Sequence, residues 1–290
     1  MSNDSANSSY ASGSMDDSRP RRNATGRSRE IIEWSIRAAL GVGVFLAFLV
    51  LWQVVVAVRD LAPIFLPSPA RVASAAWEER GKLAAGFTVT GSAAALGLLL
   101  SIVLGTLLAV LFSQSRWVRS AFYPYVIFLQ TVPIVAITPL LITWFGYGFK
   151  TVVIVATIIS IFPIVSNVTA GLISVDENMK DLFRLNHATR WQTLIKLRIP
   201  HSISHLILGT RVSAGLAVIG AIVGEFFVGT QAQGFVGLGT LMTAWQRLAR
   251  TDASIAVVFA STLLGLLMLT TVNALAWTIL RRWTGEFERG

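Results

Sequence analysis

Cysteine is absent from the 290 residues, which excludes a disulfide framework, thiolate catalysis and Cys-ligated zinc or iron–sulfur sites. Charge is scarce as well: 13% of the residues are Asp, Glu, Lys or Arg, against about 25% in soluble domains. With 54% hydrophobic residues and a mean hydropathy of +0.65, that deficit excludes an ordinary soluble globular protein. A Gly-x4-Gly-Lys-Ser/Thr phosphate loop is also missing, since the single Gly-Lys pair, Gly81-Lys82, runs on into Leu83, so the chain is not expected to hydrolyse ATP itself. Acidic residues are nearly missing from the long apolar runs, where Glu225 stands alone.

What is present is a set of uncharged stretches long enough to cross a bilayer, whose core of roughly 30 Å needs about 20 helical residues. The prediction is an all-α integral membrane protein with about six transmembrane helices, near 38–58, 84–113, 121–144, 151–174, 206–228 and 254–280, in a transmembrane domain over 36–284. Residues 1–35, rich in Ser, Asn, Asp and Arg, read as a disordered tail. The first apolar run is too long and begins too late for a cleaved secretory signal. Arg211 is expected near one end of the fifth span.

The net charge of +9 would suggest nucleic acid in a soluble protein, but the basic residues cluster between apolar runs, so it reads as membrane topology and no nucleic-acid partner is expected. Placing the N-terminus inside puts 16 Lys and Arg on the cytoplasmic side and 7 outside. Both termini are then cytoplasmic, in an inner membrane.

The longest cytoplasmic connection, 175–205, carries two helix-start signals, Ser174 with Glu177 and Thr189 with Gln192, each a capping box able to satisfy orphan amides. Two short helices are predicted. The second, with Trp191, Leu194, Ile195 and Leu197 apolar and Arg190, Lys196 and Arg198 basic, is expected to stop at Pro200 and to need a partner groove or a lipid surface.

The histidine pair His201 and His205 has i, i+4 spacing, but no third or fourth ligand is evident, so neither metal nor cofactor is predicted. Glu225 continues a stripe of Gly209, Ser213, Ala217 and Ala221 and therefore lies on a close-packed face. It fits a structural hydrogen bond, or contact with a gate or substrate. A second ladder, Ala93, Gly97, Ser101, Gly105 and Ala109, reads as helix packing. Gln130, Thr131, Thr138, Ser166 and Asn167 lie near helix prolines and fit either a translocation path or interhelical hydrogen bonding, with Gln130, Thr131, Asn167 and Glu225 the path candidates.

The stretch Asp181-Leu182-Phe183, then His187, then Leu197-Arg198-Ile199-Pro200, with Ala188-Thr189-Arg190-Trp191-Gln192 between, resembles the cytoplasmic signature of the permease subunits of binding-protein-dependent ABC importers. Leu66-Pro67-Ser68-Pro69, Trp144-Phe145-Gly146-Tyr147-Gly148, Phe162-Pro163-Ile164, the Gly220-to-Glu225 run and Gly237-Leu238-Gly239 are similar to the nitrate, sulfonate, taurine and pyrimidine-precursor branch. The resemblance implies a type I importer core in which Asp181, Leu182, Phe183, His187, Ala188, Thr189, Trp191 and Pro200 couple to a dimeric ATPase. It further implies a second permease copy or a sister permease, and an extracytoplasmic solute-binding protein that meets the Gly229-to-Asp252 segment. The implied cargo is a small organic solute or oxyanion: a sulfonate, taurine, nitrate, bicarbonate, or, on Phe162-Pro163-Ile164 and the Gly220-to-Glu225 run, an aromatic heterocycle such as a pyrimidine thiamine precursor or riboflavin. The family Glu-Ala-Ala is Asp-Leu-Phe here and its Gly is His187, so the loop is expected to close one residue earlier, at Asn186, and to fit a dedicated ATPase.

Two other classes fit less well. An intramembrane enzyme needs a nucleophile with a base or a carboxylate cluster, and a secondary transporter or channel needs several ion-coupling residues within the membrane and leaves the amphipathic loop without a task.

Overall fold

The computed structural model describes residues 24–229 and 235–287, with the backbone alone at both outer ends. Residues 1–23 of the expected tail lie outside the described residues. The chain divides into two units at residues 54 and 55. In the first, the backbone is helical from Ala24, where helix α1 (Ala24–Arg59) begins.

The second unit is built of helices, with no strand among the described residues. They are α2 (Pro69–Glu78), α3 (Arg80–Gln114), α4 (Arg116–Thr131), α5 (Ile134–Phe145), α6 (Phe149–Ile173), α7 (Glu177–Leu185), α8 (Arg190–Thr193), α9 (Ile199–Val228), α10 (Leu238–Arg247) and α11 (Thr251–Phe287). Among the described residues five helices are long and apolar enough to cross a membrane, and α5 is a shorter apolar helix.

The expected helix over 121–144 is two helices. Val132 is extended at ψ 125°, as the residue before a proline prefers, and Pro133 becomes the N-cap of α5. Pro124 and Pro163 are carried inside α4 and α6. The motifs at the other breaks are caps. Ser68 accepts from the Arg71 amide with Pro69 opening α2, and Gly146, at φ 84°, ends α5 in a conformation that favours glycine.

Helix α6 is the centre of the bundle, packed most extensively against α9 and α3. Lipid tails give helices no hydrophobic reason to associate, so close backbone approach has to supply the attraction. Both predicted stripes of small residues do this and are buried from end to end. A Cβ on Gly97 would fall 2.6 Å from the Ala156 Cβ, and one on Gly220 would fall 2.7 Å from the Ala156 Cα, so α6 is clamped by two helices that touch the same alanine. Hydroxyls bridge the seam: Ser101 and Ser160 Oγ lie 2.7 Å apart, and Ser213 Oγ donates to the Ser160 carbonyl at 2.6 Å. Beyond the seam, Glu79 pairs with Lys82 at 2.9 Å and Arg250 at 2.5 Å, joining the α2–α3 junction to the start of α11. The hydrogen bonds from Lys82 and then Arg250 hold the Glu79 carboxyl below the usual carboxylate range.

Candidate functional site

The bundle has two ends with functional candidates. At one, α6 runs into the loop that carries α7 and α8. Ser174 does not start a helix; it is the C-cap of α6, and Asp176 caps α7 by accepting from the Asn178 amide at 2.8 Å. Asp does this as well as Ser, and it stands one residue before the helix rather than three. Thr189 and Gln192 do form the predicted capping box, with both reciprocal bonds present, at 3.2 and 2.7 Å.

Pro200 does not end the second element. The backbone widens into a π-helical turn over Leu194–Arg198 and runs straight on into α9, with Pro200 at its second position. A wider turn accommodates a ring that lacks an N–H and would crowd the carbonyl four residues back. The loop does not close early either. Asn186 has φ −85°, while His187, at the family's glycine position, takes the left-handed conformation at φ 51°. The His187 amide donates to the Arg184 carbonyl at 3.0 Å and the Ala188 amide to the Phe183 carbonyl at 2.9 Å, a Schellman closure of α7 that fixes the left-handed residue at 187.

No residue of α7 is buried within the chain. Met179, Leu182 and Leu185 are exposed on it, and Trp191 and Ile195 are exposed beyond it at 70% and 57%. Leu182, Phe183 and Ala188 meet Asn186, Gln192 and Lys196 around a hollow of about 310 Å³. Asp181 is bound to Arg184 at 2.8 Å in solvent, and Thr189 and Pro200 serve the backbone. Lys180 Nζ donates to the Ile173 carbonyl at 3.3 Å and Arg198 to the Ser113 carbonyl at 3.3 Å. The loop is thereby fastened to the ends of α6 and α3. His201 sits 3.4 Å from the Ser174 hydroxyl and the His205 ring packs on Gly171.

At the other end Glu225 is fully buried. Its carboxylate accepts from Thr90 Oγ1 at 2.8 Å and from the Gly239 amide at 2.8 Å, and Thr90 Oγ1 in turn accepts from the Leu238 amide at 2.8 Å. The carboxylate and hydroxyl together cap the first turn of α10, where a negative charge also meets the positive end of the helix dipole. A Cβ on Gly237 would collide with the Glu225 carboxylate and one on Gly239 would fall 2.5 Å from the Ile222 carbonyl, so the Gly-Leu-Gly motif is what lets α10 reach the acid. Through these bonds Glu225 ties α3, α9 and α10 together. Thr90 and the Glu79–Arg250 pair were not among the predicted residues; their partners are 135 and 171 positions away, beyond any local signal.

The remaining path candidates separate. Gln130 and Thr131 line a cleft of about 410 Å³ with Pro133, Ile158, Phe162 and Leu216, at the α4–α5 break. Asn167 is half-buried against Gly209 and donates to the Pro163 carbonyl at 2.7 Å. Ser166 bridges to Tyr123 at 3.1 Å, and the buried Thr138 donates back to Ile134 at 2.7 Å within its own helix.

Arg211 is misplaced by the sequence. With α9 beginning at Ile199, it stands well inside the span. Gly209 touches Pro163 and Ser213 bonds Ser160, which sets Arg211 level with the middle of α6.

Residues 97–284 match the family described as the binding-protein-dependent transport system inner membrane component. The chain is 34% identical to the riboflavin transport system permease protein of Chloroflexus aurantiacus, over 89% of this chain and 94% of that one. It is 34% identical to the formylaminopyrimidine transport permease protein of Halalkalibacterium halodurans, over 66% and 76%, and 24% identical to the taurine transport system permease protein of Escherichia coli, over 88% and 93%. A crystal structure of an amino acid ABC transporter with histidines shares the fold, with a TM-score of 0.55 over 71% of this chain and 95% of that one, at 18% identity.

Proposed function

Since the chain belongs to the inner membrane components of binding-protein-dependent transport systems, we propose that its α7 end docks a separate ATPase and its α10 end meets a solute-binding protein. The chain is a multi-pass membrane permease of an ABC importer. The observation that carries the assignment of ends is the exposure of Met179, Leu182, Leu185 and Trp191 on elements that are capped, closed and tied to α3 and α6. A rigid element with an uncovered apolar face is built to be held by something else.

Five helices long enough to span a bilayer, with the shorter α4 and α5 between them, make half a pore, so the working unit contains two copies or one copy and a sister permease. The excess of Lys and Arg on the α7 side supports a cytoplasmic location for that side and for both termini. ATP binding draws two ATPase subunits together, they push on Asp181, Leu182, Phe183 and the turn at His187 and Ala188, and the push passes to α6 and α9. The span helices then exchange inward for outward access as rigid bodies, the energy coming from the partner's nucleotide. The solute is a small organic molecule or oxyanion, within the range that relatives named for riboflavin, formylaminopyrimidine and taurine outline.

Purification of the tagged full chain from its native membrane in mild detergent tests this. The expected result is a phosphate-loop ATPase in equal amount, with ATP hydrolysis, lost when 181–199 is replaced. A stable complex lacking any nucleotide-binding subunit would overturn it.

A further inference from the structure

Arg211 is exposed at the middle of the bundle and makes no hydrogen bond or salt bridge among the described residues. Its level follows from its neighbours two residues away on either side: Gly209 lies against Pro163 and Ser213 against Ser160, near the centre of the 25-residue α6. An arginine facing lipid at that depth costs about 3 kcal/mol or more. Twelve residues at 1.5 Å put Arg211 about 18 Å beyond Ile199, away from the loop that carries α7. The one acid in the same helix, Glu225, is fourteen residues further on and fully engaged.

The face that Arg211 shares is open. Gly209, Ser213, Ala217 and Ala221 turn toward α6, whereas Leu208, Arg211 and Ile219 are exposed, and a Cβ on Gly215 would touch nothing within 4 Å. An unpaired guanidinium on such a face requires water.

We propose that this face of α9 lines the translocation path and that Arg211 is its charge-selecting residue, favouring solutes that carry an anionic group such as a sulfonate, carboxylate or phosphate. This rests on the importer reading above and narrows it, since a neutral solute gains nothing from an unpaired guanidinium. In a working unit of two copies the path carries two such charges. They repel each other, so the site is poorest when empty and improves when an anion enters between them.

The absence of cysteine makes the test clean. Gly215→Cys, one turn from Arg211 on the same face, is made in the full chain, purified with its partners and reconstituted. Its reaction rates with a negatively charged and a positively charged methanethiosulfonate, both membrane-impermeant, are compared with Arg211 intact, in Arg211→Lys and in Arg211→Gln. The expected result is labelling by both reagents, with the anionic reagent favoured by about tenfold or more in the first two and the preference lost in the third. Leu99→Cys, exposed on α3, is the control and stays unlabelled. If the thiol introduced by Gly215→Cys reacts only with a membrane-permeant maleimide, the face lies in lipid or in a sealed contact and the proposal is wrong. Labelling whose charge preference ignores Arg211→Gln would leave a path without a selecting arginine and overturn it equally. Co-purification of the ATPase with each variant is scored separately, so these outcomes leave the importer reading standing or falling on its own.

Discussion

Helix α9 carries two charges fourteen residues apart, and the chain treats them in opposite ways. Glu225 is sealed: its oxygens are taken by Thr90 and the Gly239 amide, and a glycine on either side of Leu238 makes the room. Arg211 has no partner within the described chain. A buried charge with complete hydrogen bonding holds an architecture together, while a charge left open inside the membrane is useful only to something that arrives. The ends of the molecule repeat the contrast. The α10 end closes on itself around Glu225, and the α7 end presents Leu182 and Trp191 to solvent.

Breaking the sealed charge should have the largest effect. Glu225→Ala strands the Thr90 hydroxyl and the Gly239 amide, each worth about 1–3 kcal/mol, so the purified complex should lose about 3 kcal/mol or more in thermal unfolding. Gly237→Ala should approach that loss, because its Cβ meets the same carboxylate. Glu225→Gln keeps an acceptor and should retain transport; transport lost while the complex still assembles would give the acid a gating role. Arg211→Gln should leave stability within about 0.5 kcal/mol, and a larger loss would mean the open charge is not open.

At the α7 end, Leu182→Asp should weaken association with the ATPase by about 2 kcal/mol, roughly thirtyfold, without changing the unfolding of the chain itself. A smaller change is expected at the turn, where His187→Gly should stabilise by about 1 kcal/mol by relieving the left-handed backbone. Smallest is the Glu79 pair, about 0.5–1 kcal/mol because it is partly solvated. Its carboxyl is held below the usual range in the fold, so its stabilisation is present above the ordinary carboxylate pKa and fades as pH falls through the lowered value. Glu79→Gln should therefore remove that contribution at neutral pH and flatten the acid side of the stability-against-pH curve, so that variant and natural chain converge as pH falls below the lowered value.

How much of this is legible in the sequence depends on how local the cause is. The Thr189–Gln192 box reads from four consecutive positions, and the two small-residue stripes repeat every four, so both are visible without the fold. Ser174 misleads because Asp176, two residues on, competes for the same helix start and wins. Pro133 and Pro200 look alike in sequence, yet one breaks a helix and the other is absorbed by a π-helical turn, a choice made by the packing around them. Misplacing that stop moves the start of α9 and with it the depth of Arg211, so the chain's most telling charge passes for a terminal one. Thr90 cannot be found as the partner of Glu225, since nothing near residue 90 refers to residue 225.

The most direct measurement uses single cysteines in the otherwise cysteine-free chain, one at Leu182 on α7 and one at Val236 beside α10, each carrying a benzophenone and irradiated in native membranes. The account predicts that the probe at 182 captures a nucleotide-binding subunit and the probe at 236 does not. Capture of such a subunit at 236, or at neither position while uptake continues, would contradict it.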